Sequence, residues 1–243
     1  MVLVLPKGGT VVIKAIFFDL FQTLVCYDPP RENLVAEILE DFDIRRDPEV
    51  FRLPLVAADE FMYGEISRRP LSQRPREELT GLYVEHVRIM LREAGIDPDE
   101  TLARNLLGRM RQHKMNLVLF DDVAPALKDL NDRGLILGLI SNVEQDISGT
   151  LNGLGLTSWL SSIVTSQDAG VNKPQPEIFR YALKQAGVQP GESIYVGDQY
   201  QIDILGSRSV GMKGILVDRL DYNKEITDCP RIRSFKELTE YLE

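Results

Sequence analysis

The chain has 243 residues, of which 44% are hydrophobic, so it is long enough to fold around a substantial core. Its formal net charge is -9, from 37 acidic and 28 basic residues, which argues against general binding to the phosphate backbone of nucleic acids. No apolar run approaches the length of a transmembrane helix, and residues 1–10 predict a frayed tail or an added edge strand rather than a signal peptide. We therefore expect a globular protein that binds neither membranes nor nucleic acid.

The cysteine content indicates a reducing compartment. Cys26 and Cys229 are far apart in the sequence and show no metal-ligand spacing. Free thiols are the simpler interpretation of such a pair. We therefore expect a cytoplasmic protein, and composition leaves its oligomeric state open between a monomer and a homodimer.

The first predicted element is a buried strand that ends in a carboxylate. It covers residues 11–18 and becomes mostly apolar after Lys14, and Asp19 follows directly. In an open α/β sheet, ligands bind at the carboxyl ends of the strands. Asp19 is therefore a candidate site residue, although a lone aspartate at such a position can also cap a turn.

The next part of the chain carries helical periodicity, and no strand-like run interrupts residues 30–115. It predicts four amphipathic helices, at residues 34–42, 50–63, 77–94 and 99–112. We expect residues 28–116 to form a small helical bundle that is inserted after the first strand as a cap domain. The segments 27–30 and 116–121 are then short linkers that permit hinge motion.

After Asp122 the pattern changes to alternating helices and strands. Further strands are predicted at residues 135–140, 162–165, 193–197 and 214–217, with helices at 176–186 and 202–209 and a capping box, Ser234 to Glu237, before a last helix. Right-handed crossovers between such strands produce a mostly parallel sheet. We therefore predict the α/β class, with a doubly wound, Rossmann-like core made of residues 11–27 and 117–243 and an inserted helical cap.

Polar residues follow three of the predicted strands. They are Asp19, Ser141 and Asp198, and Lys173 lies in a loop at the same edge. Because the carboxyl ends of parallel strands lie together, we expect these side chains to converge. Two carboxylates that close repel each other unless a cation lies between them, and oxygen ligands favour Mg²⁺. A carboxylate nucleophile, a metal, a lysine and a hydroxyl would suit phosphoryl transfer.

The order of four motifs in this chain resembles the haloacid dehalogenase superfamily of hydrolases. The motifs are Asp19-x-x-x-Thr23, Ser141-Asn142, Lys173-Pro174 and Gly197-Asp198-x-x-x-x-Asp203. The resemblance covers about residues 11–242, and the predicted helical insert falls between the first two motifs. It implies a hydrolase with a helical cap of the C1 type.

The resemblance implies that Asp19 is the nucleophile and forms a covalent aspartyl intermediate. Thr23 and Ser141 would hydrogen-bond the transferring group or orient Asp19, unless they only cap turns. Lys173 would screen the negative charge on Asp19 and on the substrate. Ser141, Asn142 and Lys173 are therefore also the implied substrate-binding residues.

The implied metal site includes a residue that departs from the family's phosphatases. Asp198 would bind Mg²⁺ together with Asp19 and the main-chain carbonyl of Phe21, and Asp203 would support the metal unless it lies on a solvated helix face. Family phosphatases usually carry an aspartate where this chain has Phe21, which also borders the substrate. That aspartate protonates the leaving group and later activates water, so its loss costs about 10²–10⁴-fold in rate.

An aromatic residue at this position is similar to the dehalogenase branch, which places a tyrosine there and works without metal. That branch usually lacks the Gly-Asp-x-x-x-x-Asp arrangement, and two carboxylates placed for a cation have no use in dehalogenation. We therefore predict a Mg²⁺-dependent phosphohydrolase of a small phosphorylated metabolite. The alternatives are a 2-haloacid dehalogenase-like hydrolase and a binding or regulatory protein whose catalysis has decayed at Phe21.

Substrate specificity is expected from the cap. Its most basic segment holds four arginines, Arg68, Arg69, Arg74 and Arg76. They could face a small anionic substrate across the cleft. A solvated loop is the simpler interpretation of such a charge run.

Overall fold

The computed structural model describes residues 12–242. Its strands are β1 (Ala15–Phe18), β2 (Val25–Asp28), β3 (Asn116–Leu119), β4 (Ile136–Ser141), β5 (Ser162–Thr165), β6 (Ser193–Gly197), β7 (Lys213–Val217) and β8 (Arg231–Ile232). Its helices are α1 (Arg31–Glu40), α2 (Arg52–Arg68), α3 (Arg76–Glu93), α4 (Glu100–Met110), α5 (Val123–Asp132), α6 (Ser148–Gly153), α7 (Ser166–Ala169), α8 (Pro176–Ala186) and α9 (Leu205–Ser209). Short 3₁₀ turns cover Pro48–Phe51, Leu71–Gln73, Leu156–Ser158, Pro190–Glu192 and Phe235–Tyr241, and a π-helical turn covers Tyr200–Ile204.

Six parallel strands form the central sheet, in the order β5-β4-β1-β6-β7-β8. β1 lies inside this sheet and is buried on both faces. Ile16 and Phe18 pack into the hydrophobic cluster that contains α5, whereas Ala15 and Phe17 pack into the cluster that contains α8. This alternation follows from the two-residue period of a strand. The predicted α/β class with a parallel sheet is confirmed.

Helices α1 to α4 share a hydrophobic cluster of their own, which includes Leu39, Phe51, Val87 and Leu106. In the chain these helices lie between β2 and β3. The predicted helical content of residues 30–115 is therefore confirmed. The division into domains at residues 28–116 stays a prediction.

Two short strands that were not predicted occupy part of the predicted linkers at residues 27–30 and 116–121, and hinge motion there stays a prediction. β2 and β3 pair antiparallel, with Val25 opposite Leu119, so a two-stranded ribbon lies where hinges were expected. β8, which has two residues, was also missed. Four-residue and two-residue strands carry too little local pattern to be recognised, because their partners are distant in the sequence.

Further differences concern the ends and the types of elements, and the short helices α6 and α7 were not predicted. β1 begins at Ala15, later than predicted, while Val11 and the predicted tail at residues 1–10 lie outside the described residues. The capping box of Ser234 and Glu237 is present, but it opens a 3₁₀ turn instead of an α-helix. Between residues 12 and 242, no helix combines the length and the apolar character needed to span a membrane.

Candidate active site

Three neighbouring strands bring polar residues to one edge of the sheet. Asp19 follows β1, and its backbone N–H donates to the carbonyl of Val196 in β6 at 2.9 Å. Ser141 ends β4, and Asp198 follows β6, so both flank Asp19. Because β4 and β6 are the direct neighbours of β1, the predicted convergence is observed for these residues.

Lys173 lies at the centre of the polar cluster and is 2% exposed. Its ammonium donates to Asp19 Oδ1 at 2.7 Å, to Asp203 Oδ1 at 2.7 Å and to the Tyr195 hydroxyl at 2.8 Å. These contacts use all three ammonium protons. The backbone of Lys173 is fixed by Asn142, whose Oδ1 accepts from the Lys173 N–H at 2.7 Å and whose Nδ2 donates to the Lys173 carbonyl at 3.0 Å.

Asp19, Asp198 and Asp203 form a carboxylate cluster in which one oxygen of each residue lies within 4.8 Å of the others. Burial raises the pKa of Asp19 to about 6, against the opposing effect of the Lys173 ammonium. Burial and the charges of Asp19 and Asp203 raise the pKa of Asp198 well above its usual range. Burial lowers the pKa of Lys173, but Asp19 and Asp203 outweigh it, so the pKa is raised and Lys173 stays charged.

One ammonium leaves this cluster with an excess of negative charge when its carboxyls are ionised. A cation bound between the carboxylates would relieve their repulsion. The available donors are all oxygen atoms, which suits a hard divalent cation. The residues present therefore fit a metal site.

Asp203 is 1% exposed, so it does not lie on a solvated helix face. It belongs to the π-helical turn, and its Oδ2 accepts a hydrogen bond from the Gln199 N–H at 3.0 Å. Gly197 makes room for it, because an added Cβ at Gly197 would lie 2.3 Å from Asp203 Oδ2. The glycine of the Gly197-Asp198 motif is thus required by this close approach.

Thr23 is fully buried, and its hydroxyl donates to Asp198 Oδ1 at 3.4 Å. This contact is with Asp198 rather than with Asp19, and the predicted role of Thr23 toward a substrate stays a prediction. A cavity of about 30 Å³, here called the inner cavity, is lined by Asp19, Phe21, Tyr63, Ser141, Asn142, Lys173, Gln199, Ile202 and Asp203. Most of the predicted site residues therefore surround one small space.

A second space, here called the outer cavity, has a volume of about 380 Å³. Its lining comes from both the core and the helical region and includes Gln22, Arg31, Asp59, Glu60, Asp198, Gln199 and Tyr222. Gln199 lines both cavities. The outer cavity thus adjoins the carboxylate cluster.

Sequence reasoning missed three residues of the site. Tyr195 lies in β6, and its hydroxyl accepts from Lys173 and donates to the Ile140 carbonyl at 3.0 Å. Gln199 donates from Nε2 to Asp198 Oδ2 at 3.0 Å. Tyr63, from α2, lines the inner cavity. A tyrosine inside an otherwise apolar buried strand was the available signal for Tyr195, because a buried hydroxyl requires a partner.

Carboxylates of the helical region pair with the arginines Arg68, Arg69 and Arg74 of the basic segment. Arg74 is buried and contacts Glu65 and Glu78 at 3.0 Å each, while Arg68 pairs with Glu65 and Arg69 with Glu78. Within residues 12–242, neither cavity is lined by any of the four predicted arginines, Arg68, Arg69, Arg74 and Arg76. A direct contact between these arginines and a substrate in either cavity is therefore not supported.

Comparison with known proteins gives the family of this fold and site. A family model described as haloacid dehalogenase-like hydrolase matches residues 65–217, and the chain belongs to this family. The predicted resemblance is thereby confirmed.

Individual relatives differ in how much of their length is matched. Haloacid dehalogenase-like hydrolase domain-containing protein 3 of Danio rerio is 41% identical over 125 residues, which cover 51% of this chain and 52% of that protein. The matched part thus spans about half the length of this relative. Glyceraldehyde 3-phosphate phosphatase of Methanopyrus kandleri is 31% identical over 212 residues, which cover 86% of each protein.

A similar fold is also present among solved structures. The 2-haloacid dehalogenase from Pseudomonas syringae pv. Tomato DC3000 is 26% identical, with a TM-score of 0.54. The match covers 94% of this chain and 97% of that chain. Phosphatases and dehalogenases by name are therefore both among the proteins that this chain resembles.

Proposed function

We propose that this protein is a Mg²⁺-dependent phosphohydrolase that acts on small phosphate esters through an aspartyl-phosphate intermediate on Asp19. The observation that carries this proposal is the cluster of Asp19, Asp198 and Asp203 around the buried Lys173. Oxygen-only ligands at this spacing suit Mg²⁺, and a cation would offset the negative charge of the ionised cluster. The similarity to a protein named glyceraldehyde 3-phosphate phosphatase also supports a small phosphate ester as substrate.

In this proposal Asp19 attacks the phosphorus atom and Lys173 keeps Asp19 in its ionised, correctly directed state. The hydrogen bond of 2.7 Å between them favours the carboxylate over the neutral acid. Ser141 and Asn142 border the inner cavity and would contact the phosphoryl oxygens, while Thr23 fixes Asp198. The ester's leaving group would occupy the outer cavity, whose 380 Å³ accommodates a metabolite-sized group.

The metal would be held by Asp19, Asp198, Asp203 and the main-chain carbonyl of Phe21. When bound, Mg²⁺ supplies positive charge that offsets the charge of the phosphoryl oxygens. The side chain of Phe21 contributes no proton donor to the inner cavity. A low intrinsic rate with poor leaving groups is therefore expected unless another residue replaces that donor.

The first test is the hydrolysis of 4-nitrophenyl phosphate by the purified protein, with Mg²⁺ and then with a chelator. A nitrophenolate leaves without strong help from an acid, so the assay tolerates Phe21. We expect turnover that depends on Mg²⁺ and that falls to background in Asp19→Asn. Turnover in Asp19→Asn equal to that of the unmodified protein would refute the covalent mechanism.

Phe21 gives a specific reason to test a second function, the hydrolysis of a carbon–halogen bond by Asp19. That reaction needs no metal, so halide release from a 2-haloacid would persist in the chelator. The carboxylate cluster argues against it, because Asp198 and Asp203 have no part in such chemistry. Halide release without phosphatase activity would replace the first proposal by the second.

A further inference from the structure

Tyr63 lines the inner cavity from the helical region. It is partly buried on α2, and within the described chain it is the one lining residue of this cavity that comes from helices α1 to α4. The other lining residues come from the core. Tyr63 therefore shares the inner cavity with Asp19 and Phe21.

The Tyr63 side chain ends in a phenol hydroxyl, which can donate or accept a hydrogen bond. Burial, and then the charges of Asp198 and Asp59, raise the pKa of this phenol well above its usual range. The hydroxyl is therefore protonated at neutral pH, and only a strongly basic oxygen, such as that of an alkyl leaving group, could take its proton.

The other potential donors around the inner cavity are either engaged or not acidic. The Lys173 ammonium is used by Asp19, Asp203 and Tyr195. The side-chain amide of Gln199 donates to Asp198, and that of Asn142 donates to the Lys173 carbonyl. The amides of Asn142 and Gln199 each keep a second N–H but give up no proton at neutral pH. Among the side chains that line the cavity in the described structure, this leaves the hydroxyls of Ser141 and Tyr63 as groups that could protonate a leaving oxygen.

The course of α2 distinguishes Tyr63 from Ser141. Leu55, Val56, Asp59 and Glu60 of the same helix line the outer cavity, and Tyr63 lines the inner one. Asp59 and Tyr63 are four residues apart and therefore lie on one face of α2. A substrate with its phosphoryl group in the inner cavity and its leaving group in the outer one would place its bridging oxygen beside Tyr63.

Contacts between the helical region and the core keep Tyr63 in this position. Asn172, which precedes Lys173, donates from Nδ2 to the Ile66 carbonyl of α2 at 3.0 Å. The Glu144 carboxylate, which follows the Ser141-Asn142 motif, accepts from the backbone N–H groups of Leu71 at 2.8 Å and Ser72 at 2.9 Å. The two core loops that bear site residues thus hold the end of α2 above the inner cavity.

We propose that Tyr63 is a catalytic residue that supplies the leaving-group proton which Phe21 cannot supply. This inference rests on the proposed phosphohydrolase function. The Asp19 carboxylate forms a bond to phosphorus, and the bond from phosphorus to the leaving oxygen breaks with its electron pair on that oxygen. The Tyr63 hydroxyl protonates this oxygen and becomes a phenolate. When water then attacks the phosphorus of the aspartyl-phosphate, the bond from phosphorus to the Asp19 oxygen breaks with its electron pair on that oxygen. Phosphate is released, Asp19 returns as a carboxylate, and the proton of the water passes to the Tyr63 phenolate, so the phenol is restored.

The test compares Tyr63→Phe with the unmodified protein on 4-nitrophenyl phosphate and on benzyl phosphate, both with Mg²⁺. Benzyl alcohol is a far poorer leaving group than nitrophenol, so only its ester needs the proton. We expect the variant to lose on the order of 10²-fold in kcat on benzyl phosphate and to lose about threefold or less on 4-nitrophenyl phosphate. Phenylalanine keeps the ring, so the packing of α2 is retained.

Tyr83→Phe is the matched control, because Tyr83 lies on α3 and lines neither cavity in the described structure. It should leave both rates unchanged. Equal losses on the two esters, or no loss on benzyl phosphate, would overturn the role of Tyr63. If the unmodified protein hydrolyses neither ester, the phosphohydrolase proposal itself fails, and this result is distinct from a failure of Tyr63 alone.

Discussion

Gly197 has no side chain, and this leaves the space that the Asp203 carboxylate occupies in the site. An added Cβ would lie 2.3 Å from Asp203 Oδ2, and Asp203 is buried and cannot move into solvent. We expect Gly197→Ala to displace Asp203 from Lys173 and to lower Mg²⁺-dependent kcat/KM by about 10–100-fold, the usual effect of disturbing a metal site's surroundings. The measurement is steady-state hydrolysis of 4-nitrophenyl phosphate over a range of Mg²⁺ concentrations.

Gly149→Ala provides the control for this substitution. An added Cβ at Gly149 meets no atom within 4 Å, and the residue lies in α6. Its activity should equal that of the unmodified protein. If Gly197→Ala behaves like this control, then the close approach does not position Asp203 for function.

Asp59 is a buried carboxylate whose ionisation depends on Arg31 and on a hydrogen bond with His86. Arg31 contacts its oxygens at 2.9 and 2.5 Å, and His86 Nε2 lies 3.0 Å from Oδ1. Burial raises the pKa of Asp59, but Arg31 and His86 outweigh it and lower the pKa to about 2, from 3.8. The difference corresponds to about 2 kcal/mol of the free energy of unfolding.

The sign of this linkage gives a pH prediction. A carboxyl whose folded-state pKa is lowered stabilises the protein above the unfolded-state pKa, and this stabilisation is lost as the pH falls from about 4 toward 2. We expect Asp59→Asn to lower the free energy of unfolding at pH 7 by about 3–5 kcal/mol, because Arg31 would remain buried without its partner. The variant should also lose less stability than the unmodified protein between pH 5 and pH 3 in urea denaturation. An identical pH dependence in both proteins would contradict this assignment.

The Glu144 carboxylate joins the loop after β4 to the 3₁₀ turn that follows α2. It accepts two backbone hydrogen bonds, from Leu71 and Ser72. We expect Glu144→Ala to release this turn from the core and to accelerate amide exchange at Leu71 and Ser72 by about tenfold, the equivalent of one net hydrogen bond. Hydrogen–deuterium exchange measures this effect directly.

Glu177→Ala tests whether any lost carboxylate would have the same effect. Glu177 lies in the first turn of α8 and is largely exposed. Exchange at Leu71 and Ser72 should be unchanged in this variant. Protection at these two amides in Glu144→Ala equal to that of the unmodified protein would show that the contact does not hold the turn.

Strands and helices with a clear local residue pattern were predictable from the sequence. Strands that form only by pairing with a segment far away in the sequence were not. β1 and β6 are apolar runs that end in Asp19 and Gly197-Asp198, so both the strands and their polar ends could be recognised. The pairing of β2 with β3 depends on segments about 90 residues apart, each only four residues long. No local pattern specifies such a pair.

The same distinction applies to the candidate site. Its motif residues lie at strand ends, where the parallel topology alone brings them together. Tyr63 reaches the site only because α2 packs above the sheet edge, and Tyr195 only because Lys173 enters from a separate loop. Both contacts depend on packing between elements, which the sequence pattern does not contain.

At the scale of the whole molecule, the proposed metal site predicts that Mg²⁺ binding and folding stability are coupled through the carboxylate cluster. Asp19, Asp198 and Asp203 lie together around one buried ammonium, so their mutual repulsion destabilises the metal-free protein. We expect saturating Mg²⁺ at about 100 times its Kd to add about 2.7 kcal/mol to the free energy of unfolding. For a protein of this size, that corresponds to a rise in Tm of about 5–10 °C, measured by thermal denaturation with and without Mg²⁺.

Asp198→Asn should raise the Tm of the metal-free protein, because it removes one repelling charge, and should abolish most of the response to Mg²⁺. A Tm that does not respond to Mg²⁺ in the unmodified protein, or that responds equally in Asp198→Asn, would contradict a metal site at this cluster.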